Sequence, residues 1–358
     1  MDNEKVYICL SDGQIFEGKR FGAGGDIIGE LVFTTGMCGY IETLTDPSYY
    51  GQIVLQTFPL IGNYGFIEDD AESKKSYVSA YIVREKCDNP SNFRCDKTLD
   101  EYLKSEGIIG VYDVDTREIT KIIRESGVMN AAIVSNPNML DKQAIEDYRI
   151  TEAVKATSVS KPCLVASENH KYNVVLLDYG KKDNIPRELA KRGCNVAIVP
   201  YDTKAEDILK LNPDGIMLSN GPGDPSDNEE CIEELKKLIG KKPIFGICLG
   251  HQLLALAMGA KTEKLKYGHR GVNQPVKDLK TNRTYISSQN HGYAVLNEGI
   301  EECGGVISFI NANDGTNEGI DYPEKNAFSV QFHPEACSGP HDTRFLFDRF
   351  IDMMGGNE

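Results

Sequence analysis

The sequence has no excess of positive charge: 39 Lys and Arg stand against 54 Asp and Glu, a net charge of −15 over 358 residues. A field of that sign repels nucleic acid and anionic membrane surfaces, which argues against either as a partner. Its ten cysteines include no C-x-x-C pair and no zinc-finger spacing, so neither a dithiol redox centre nor a zinc site is expected. Spread from Cys9 to Cys337, they read as separate thiols in a reducing compartment. No apolar run reaches bilayer length; the richest, PIFGICLGHQLLALAMGA, is short and carries His251 and Gln252. The opening MDNEKVYICL is mixed rather than basic and apolar, so no secretory leader is expected and the location is expected to be cytoplasmic. G-x-x-x-x-G-K-[ST] is missing, and Gly22, Gly24, Gly25 and Gly29 do not fit G-x-G-x-x-G; they read as a turn, and no nucleotide site is expected in this chain. Internal repeats and low-complexity segments are missing too.

A hydrophobic fraction of 40% in a chain of this length suggests two folded domains. From about Lys171 two periodicities alternate. NVVLLD, NVAIVPY, GIMLSN and PIFGIC read as buried strands, and NIPRELAKRG and NEECIEELKKLIG as helices closed by Gly193 and Gly240. Strand–helix alternation predicts an α/β domain, a mostly parallel sheet flanked by helices. TYISSQNHGYAVL, GVISFINAND and NAFSVQFHPE look antiparallel, so the sheet is expected to be mixed, with HDTRFLFDRFIDMM as a closing helix. The first part has short β-like pieces, VYICLSDGQIFEG and GELVFTTGMCGYIETLT, turn signals SDG and TDPSYYG, and one helical stretch, TREITKIIRESG. A β-rich α+β domain over 1–168 and an α/β domain over 171–358 are expected, joined near the polar stretch ASENHK, residues 166–171.

Ligands of such sheets bind beyond the carboxyl ends of the strands, where SNGPGDPSD and CLGHQ fall. Gly246-Ile247-Cys248-Leu249-Gly250 has the layout of G-x-S-x-G with cysteine in place of serine. A thiol on that turn sits at a helix N-terminus, where the dipole favours thiolate and the next N–H, that of Leu249, can meet an oxyanion. The same five residues also fit a cysteine buried in an apolar strand.

A thiolate that expels an amine needs a group to hold and return a proton. Among six histidines, His333 stands out in VQFHPE, with Glu335 two residues on and Pro334 stiffening the spacing. Alternate residues of an extended chain share a face, so Glu335 could orient the imidazole as a third triad member. His251 and His291 are the rivals, neither with a carboxylate spaced to orient it; His251 should point away from the elbow. In SNGPGDP, Pro222 has no N–H, so Gly221 or Gly223 would complete the oxyanion site.

GPGDP, GICLGHQ and FHPE, in this order and at these separations, resemble the class I glutamine amidotransferases, a family with a Cys-His-Glu triad on a sheet of this kind. From near residue 5 to near 352 the chain is similar to the family of small, glutamine-hydrolysing subunits of carbamoyl phosphate synthetases. That closer likeness rests on GYIETLTDPSYYGQIV, PLIGNYG, GVYDVDTREIT, YGHRGVNQPV, SQNHGYAV and HPEACSGPHD. The resemblance implies Cys248 as nucleophile, His333 as general base and acid, and Glu335 as its orienter. Glutamine-binding positions fall on Ser48, Gly221, Gly223, Leu249, Gln252, Asn290, Gly292 and Tyr293. Ser48 would bring a first-domain residue to the glutamine, and Tyr293 stands where some relatives have Phe.

Hydrolysis of the glutamine side-chain amide through a Cys248 thioester is therefore expected, with no cofactor and no metal in this chain. The resemblance implies a large synthetase subunit as ammonia acceptor, carrying ATP and a divalent metal, using bicarbonate, and serving arginine and pyrimidine synthesis as the partner in a heterodimer. The first domain is the expected docking surface. Three other readings stay open: the amidotransferase subunit of another synthase, a cysteine hydrolase of peptide or γ-glutamyl bonds, and a catalytically silent scaffold.

Overall fold

A computed structural model of the chain describes residues 4–336 and 338–355. Two compact units result: residues 1–151 with 266–271, and residues 152–265 with 272–358.

In the first unit seven strands close into a barrel, in the order Lys5–Leu10, Ile15–Gly22, Ile109–Tyr112, Ala80–Ile82, Gln52–Gln56, Ile27–Thr34, Met129–Val134. VYICLSDGQIFEG forms the antiparallel hairpin its pattern predicts, with Cys9 opposite Ile15 and Gly13 at φ 92 in the turn. Val6, Ile8 and Leu10 alternate onto one face and pack with Leu31, Phe33, Ile53, Leu55 and the helix residues Ile119 and Ile123. TREITKIIRESG is that helix, Thr116–Ser126, begun by the Asp115 side chain accepting from the Glu118 amide.

The reading of GELVFTTGMCGYIETLT as β-like throughout is corrected: Ile27–Thr34 is a strand, whereas Tyr40–Thr45 is a short helix. Gly39 at φ 79 turns the chain into it, and Tyr40, Ile41, Leu44 and Thr45 are buried at helical rather than alternating spacing. The β-branched residues that suggested a strand are thus buried on one side of a helix.

The second unit is built on a ten-stranded sheet, in the order Cys163–Val165, Cys194–Pro200, Tyr172–Asp178, Gly215–Leu218, Ile244–Ile247, Ala327–Val330, Asn317–Tyr322, Val306–Asn311, Thr262–Asp278, Thr284–Val295. The five strands from Cys194–Pro200 to Ala327–Val330 run parallel. Antiparallel pairing follows from Ala327–Val330 through Asn317–Tyr322 to Val306–Asn311, giving the mixed sheet. Residues 166–171 lie inside this unit, because Cys163–Val165 before them pairs antiparallel with Cys194–Pro200 at the sheet edge.

The central strands are largely apolar on both faces because both faces are covered. Val175 and Leu177 pack on one side with Leu249, Leu253 and Leu254; Val174 and Leu176 pack on the other with Phe245, Phe347 and Phe350. Phe245 stacks on Phe328 at 4.3 Å and meets Phe347 edge-on at 5.6 Å, docking the closing helix Phe345–Gly355. Gly193 and Gly240 follow the helices Asn184–Lys191 and Glu229–Leu238 at φ 92 and 77. No helix among the described residues is long and apolar enough to cross a membrane.

Candidate active site

The strand Ile244–Ile247 ends at Cys248 and the helix Leu249–Met258 begins one residue later. Cys248 takes φ 52 and ψ −104, a conformation that side-chain-bearing residues avoid at a cost of about 1–3 kcal/mol. Three backbone bonds hold it: Cys248 N donates to Val330 O at 2.9 Å, Gly250 N to Ser219 O at 3.0 Å, and Gln252 N to Cys248 O at 3.1 Å. The flanking glycines are there for want of space. A Cβ on Gly246 would lie 2.8 Å from Gly250 O, and one on Gly250 would lie 2.5 Å from Leu218 O.

The Cys248 side chain is buried and its Sγ donates to Asn290 O at 3.8 Å. His333 lies beyond the end of its strand, which stops at Val330; an isolated antiparallel bridge to Ser288 holds it, His333 N donating to Ser288 O at 2.9 Å. Its Nδ1 meets Glu335 Oε1 at 2.7 Å, so the carboxylate fixes the ring and leaves Nε2 for other work. Nε2 is buried without a hydrogen bond of ordinary geometry. Burial and the Lys182 ammonium oppose a charged ring, while Glu335 and the Cys248 thiol favour it, and the balance raises the His333 pKa above its ordinary value. Glu335 is itself buried; burial would raise its pKa, but His333 and Lys182 hold it below the usual carboxylate range.

Beside the elbow, the loop after Gly215–Leu218 brings Gly221 against the chain. A Cβ there would lie 2.2 Å from Tyr179 O and 2.8 Å from Leu249 Cδ2, so no other residue fits unmoved. Gly223 follows at φ 90. Among the described residues nothing accepts from the N–H groups of Leu249 or Gly221. Two backbone donors, one at the turn that carries a thiol and one on the loop beside it, are what an oxyanion requires.

Gln252 is buried on the same helix, its amide nitrogen donating to Tyr293 O at 2.8 Å and Gln331 Oε1 at 2.9 Å. Asn290 is buried, and Gly292 and Tyr293 are half-buried on the strand Thr284–Val295. Ser48 belongs to the first unit, in the turn Pro47–Tyr49 that Asp46 caps by accepting from the Ser48 amide at 2.9 Å.

The rival bases are committed elsewhere. His251 is fully buried with Nδ1 on Ser329 Oγ at 2.9 Å, and burial drives its pKa down to about 3, so it stays neutral. His291 has Nδ1 on Tyr293 O at 2.8 Å and Nε2 on Gln289 Oε1 at 3.3 Å.

One charged residue of the site escaped the sequence reading. Lys182, in DYGKKDN, is buried with its Nζ 3.9 Å from Glu335 Oε1. Its amide donates to Asn220 Oδ1 at 2.9 Å, and Asn220 Nδ2 donates to Gly180 O at 3.0 Å. The only signal in the sequence was its place after the strand Tyr172–Asp178, at the sheet end where ligands bind.

Residues 175–353 match the family description "Glutamine amidotransferase class-I", and residues 8–133 match "Carbamoyl-phosphate synthase small chain, CPSase domain". The chain is 52% identical to the carbamoyl phosphate synthase small chain of Clostridium perfringens, covering 97% of this chain and 99% of that one. It is 49% identical to that of Oceanobacillus iheyensis, covering 98% and 96%, and 49% identical to that of Fusobacterium nucleatum, covering 98% of each. By its elbow, its sheet and these matches, the chain is a class I glutamine amidotransferase. Within that class it belongs to the carbamoyl phosphate synthase small-chain family, to which both of its units match.

Proposed function

We propose that the chain hydrolyses the side-chain amide of L-glutamine and delivers the ammonia to a large synthetase subunit. The observation that carries this is the pairing of a cysteine elbow and its two uncommitted amides with a buried histidine held by a carboxylate at 2.7 Å. His333 takes the Cys248 proton at Nε2, and the thiolate attacks the amide carbon. Leu249 and Gly221 donate to the oxyanion. His333 then gives its proton to the nitrogen, ammonia leaves, and a γ-glutamyl thioester remains on Cys248. The same ring takes a proton from water, which attacks the thioester; glutamate departs and the thiol is restored. Gln252, Asn290, Gly292, Tyr293 and Gly223 would frame the substrate, and Glu335 would keep Nδ1 occupied throughout.

Ammonia released into neutral water is mostly protonated and no longer nucleophilic, so the reaction is useful only with an acceptor at hand. The small-chain family supports a large subunit, docked on the first unit, that binds ATP and a divalent metal and makes carbamoyl phosphate from bicarbonate. Such a heterodimer would work in the cytoplasm and feed arginine and pyrimidine synthesis.

The test is Cys248→Ala in the assembled complex. Glutamine-dependent carbamoyl phosphate synthesis should fall by about 10³-fold or more, whereas synthesis from added ammonia persists. Glutamine-dependent activity retained by the variant overturns the nucleophile; an ammonia acceptor other than the carbamoyl phosphate route overturns the partner.

A further inference from the structure

An amide serves an oxyanion only if its N–H points to where the negative oxygen forms, and a glycine in a loop has no side chain to settle that direction. At Gly221 the direction is settled from two residues before it. Ser219 is shut off from solvent just beyond the strand Gly215–Leu218. Its hydroxyl accepts from the Tyr179 amide at 2.9 Å and gives its one proton to Asn220 O at 2.7 Å. That carbonyl belongs to the same peptide unit as the Gly221 N–H. The unit is planar and trans, so fixing where the oxygen points fixes the N–H in the opposite direction. The far end of the unit is hemmed in, because Gly221 sits so close to Tyr179 O and Leu249 Cδ2 that a Cβ would lie 2.2 and 2.8 Å from them. Ser219 supports the other donor as well: its own carbonyl accepts from Gly250 N at 3.0 Å, one residue past the Leu249 amide.

We propose that Ser219 is a positioning residue that aims the Gly221 amide at the oxyanion and sets its spacing from the Leu249 amide. The proposal rests on the amide-hydrolysis reading above. A chain of bonds runs from the Tyr179 N–H through the hydroxyl to Asn220 O, and each bond polarises the next. Electron density drawn toward Asn220 O leaves the Gly221 N–H, on the same peptide unit, a stronger donor. The side-chain carbonyl of bound glutamine is neutral and becomes an anion only when the thiolate adds, so the aim of this N–H bears on kcat more than on KM.

The experiment uses the full chain assembled with its large subunit and centres on Ser219→Ala, which deletes the hydroxyl. Ser219→Cys, of similar size with a weaker donor, should fall between wild type and Ala, and it carries the test should the Ala variant not assemble. Ammonia-dependent synthesis reports assembly. Beside steady-state ammonia release, the readout is inhibition by L-glutamate γ-semialdehyde, whose aldehyde adds the Cys248 thiol to give a tetrahedral adduct with its oxygen where the oxyanion would form. For the Ala variant kcat should fall by about 10–100-fold, part of what loss of a whole oxyanion donor removes, with KM changed by less than about threefold. Affinity for the aldehyde should fall by a similar factor. An Ala variant with kcat and aldehyde affinity unmoved overturns the proposal, as does one that loses kcat while binding the aldehyde as before, the mark of a hydroxyl that only supports the fold. Cys248→Ala measured alongside separates the two claims: if it keeps glutaminase activity the amide-hydrolysis reading fails, and if it is silent while Ser219→Ala keeps full kcat, the positioning role fails alone.

Discussion

His251 offers a sharp test of how the nucleophile helix is buried. The ring is shut off from water, with Nδ1 on Ser329 Oγ at 2.9 Å and Nε2 without a partner. Burial alone lowers its pKa from 6.5 to about 3. In the unfolded chain the ring is protonated below 6.5; in the folded protein it is not until about 3, so the unfolded state binds more protons throughout that window. The contribution of this group is therefore fully present above pH 6.5 and is lost as pH falls toward 3. The loss is about 2 kcal/mol at pH 5 and approaches about 5 kcal/mol below pH 3. His251→Asn removes the titration while leaving an amide where Nδ1 stood, and at about pH 7.5 the lost packing should cost about 1–3 kcal/mol. The decisive quantity is how that gap changes with pH. Urea unfolding should be followed by far-ultraviolet circular dichroism, since the chain has no tryptophan. Between about pH 7.5 and 5, wild type should lose about 2 kcal/mol more than the variant. An equal loss in both proteins refutes a neutral, buried His251.

Two further outcomes follow from the crowding of the elbow. Gly221→Ala puts a methyl group 2.2 Å from Tyr179 O, so the loop must move and its amide with it; glutaminase kcat should fall by about 10²–10³-fold, checked by steady-state ammonia release. At position 248, with φ 52, the usual order of Ala over Gly should reverse, Cys248→Gly melting above Cys248→Ala by a margin worth about 1 kcal/mol, read by calorimetry.

Much of this architecture could be read from local pattern, and what could not has a physical reason. The strands around Val174, Ile216 and Ile244 have apolar runs on both faces because both faces are covered, and that burial is written residue by residue. The hairpin at Gly13 and the caps at Gly193 and Gly240 declare themselves because only glycine adopts their backbone angles cheaply. Closure of the first-unit strands into a barrel is different: it depends on Met129–Val134 pairing with Lys5–Leu10, a contact across most of the unit that no local period encodes. Tyr40–Thr45 misled because β-branched residues favour strands in general, and here burial against Val32 and Val54 overrides that weak preference. Within the site, His333 and Glu335 could be paired from two-residue spacing alone. Lys182 could not, since it stands 153 residues before Glu335 and comes within 3.9 Å of it through the fold rather than through any local spacing.

The strand Thr284–Val295 explains how parts so distant in sequence keep a common register. Ser288 anchors the His333 backbone, Asn290 O receives the Cys248 thiol at 3.8 Å, and Tyr293 O receives the Gln252 amide at 2.8 Å. Each contact goes to a carbonyl of one continuous strand, so His333, Cys248 and the helix Leu249–Met258 are all measured from the same backbone. The proposed proton transfer between Cys248 and His333 depends on separations of a fraction of an ångström, and side chains on loops do not keep such tolerances unaided. His333 stands past the end of its own strand, and the Ser288 bridge compensates by lending it the rigidity of a neighbouring one. The strained Cys248 backbone is held in the same way, by Val330 O on one side and Ser219 O on the next turn. A conformation that costs about 1–3 kcal/mol persists because bonds to the end of one strand, at Val330, and to the loop after another, at Ser219, would have to break together to release it.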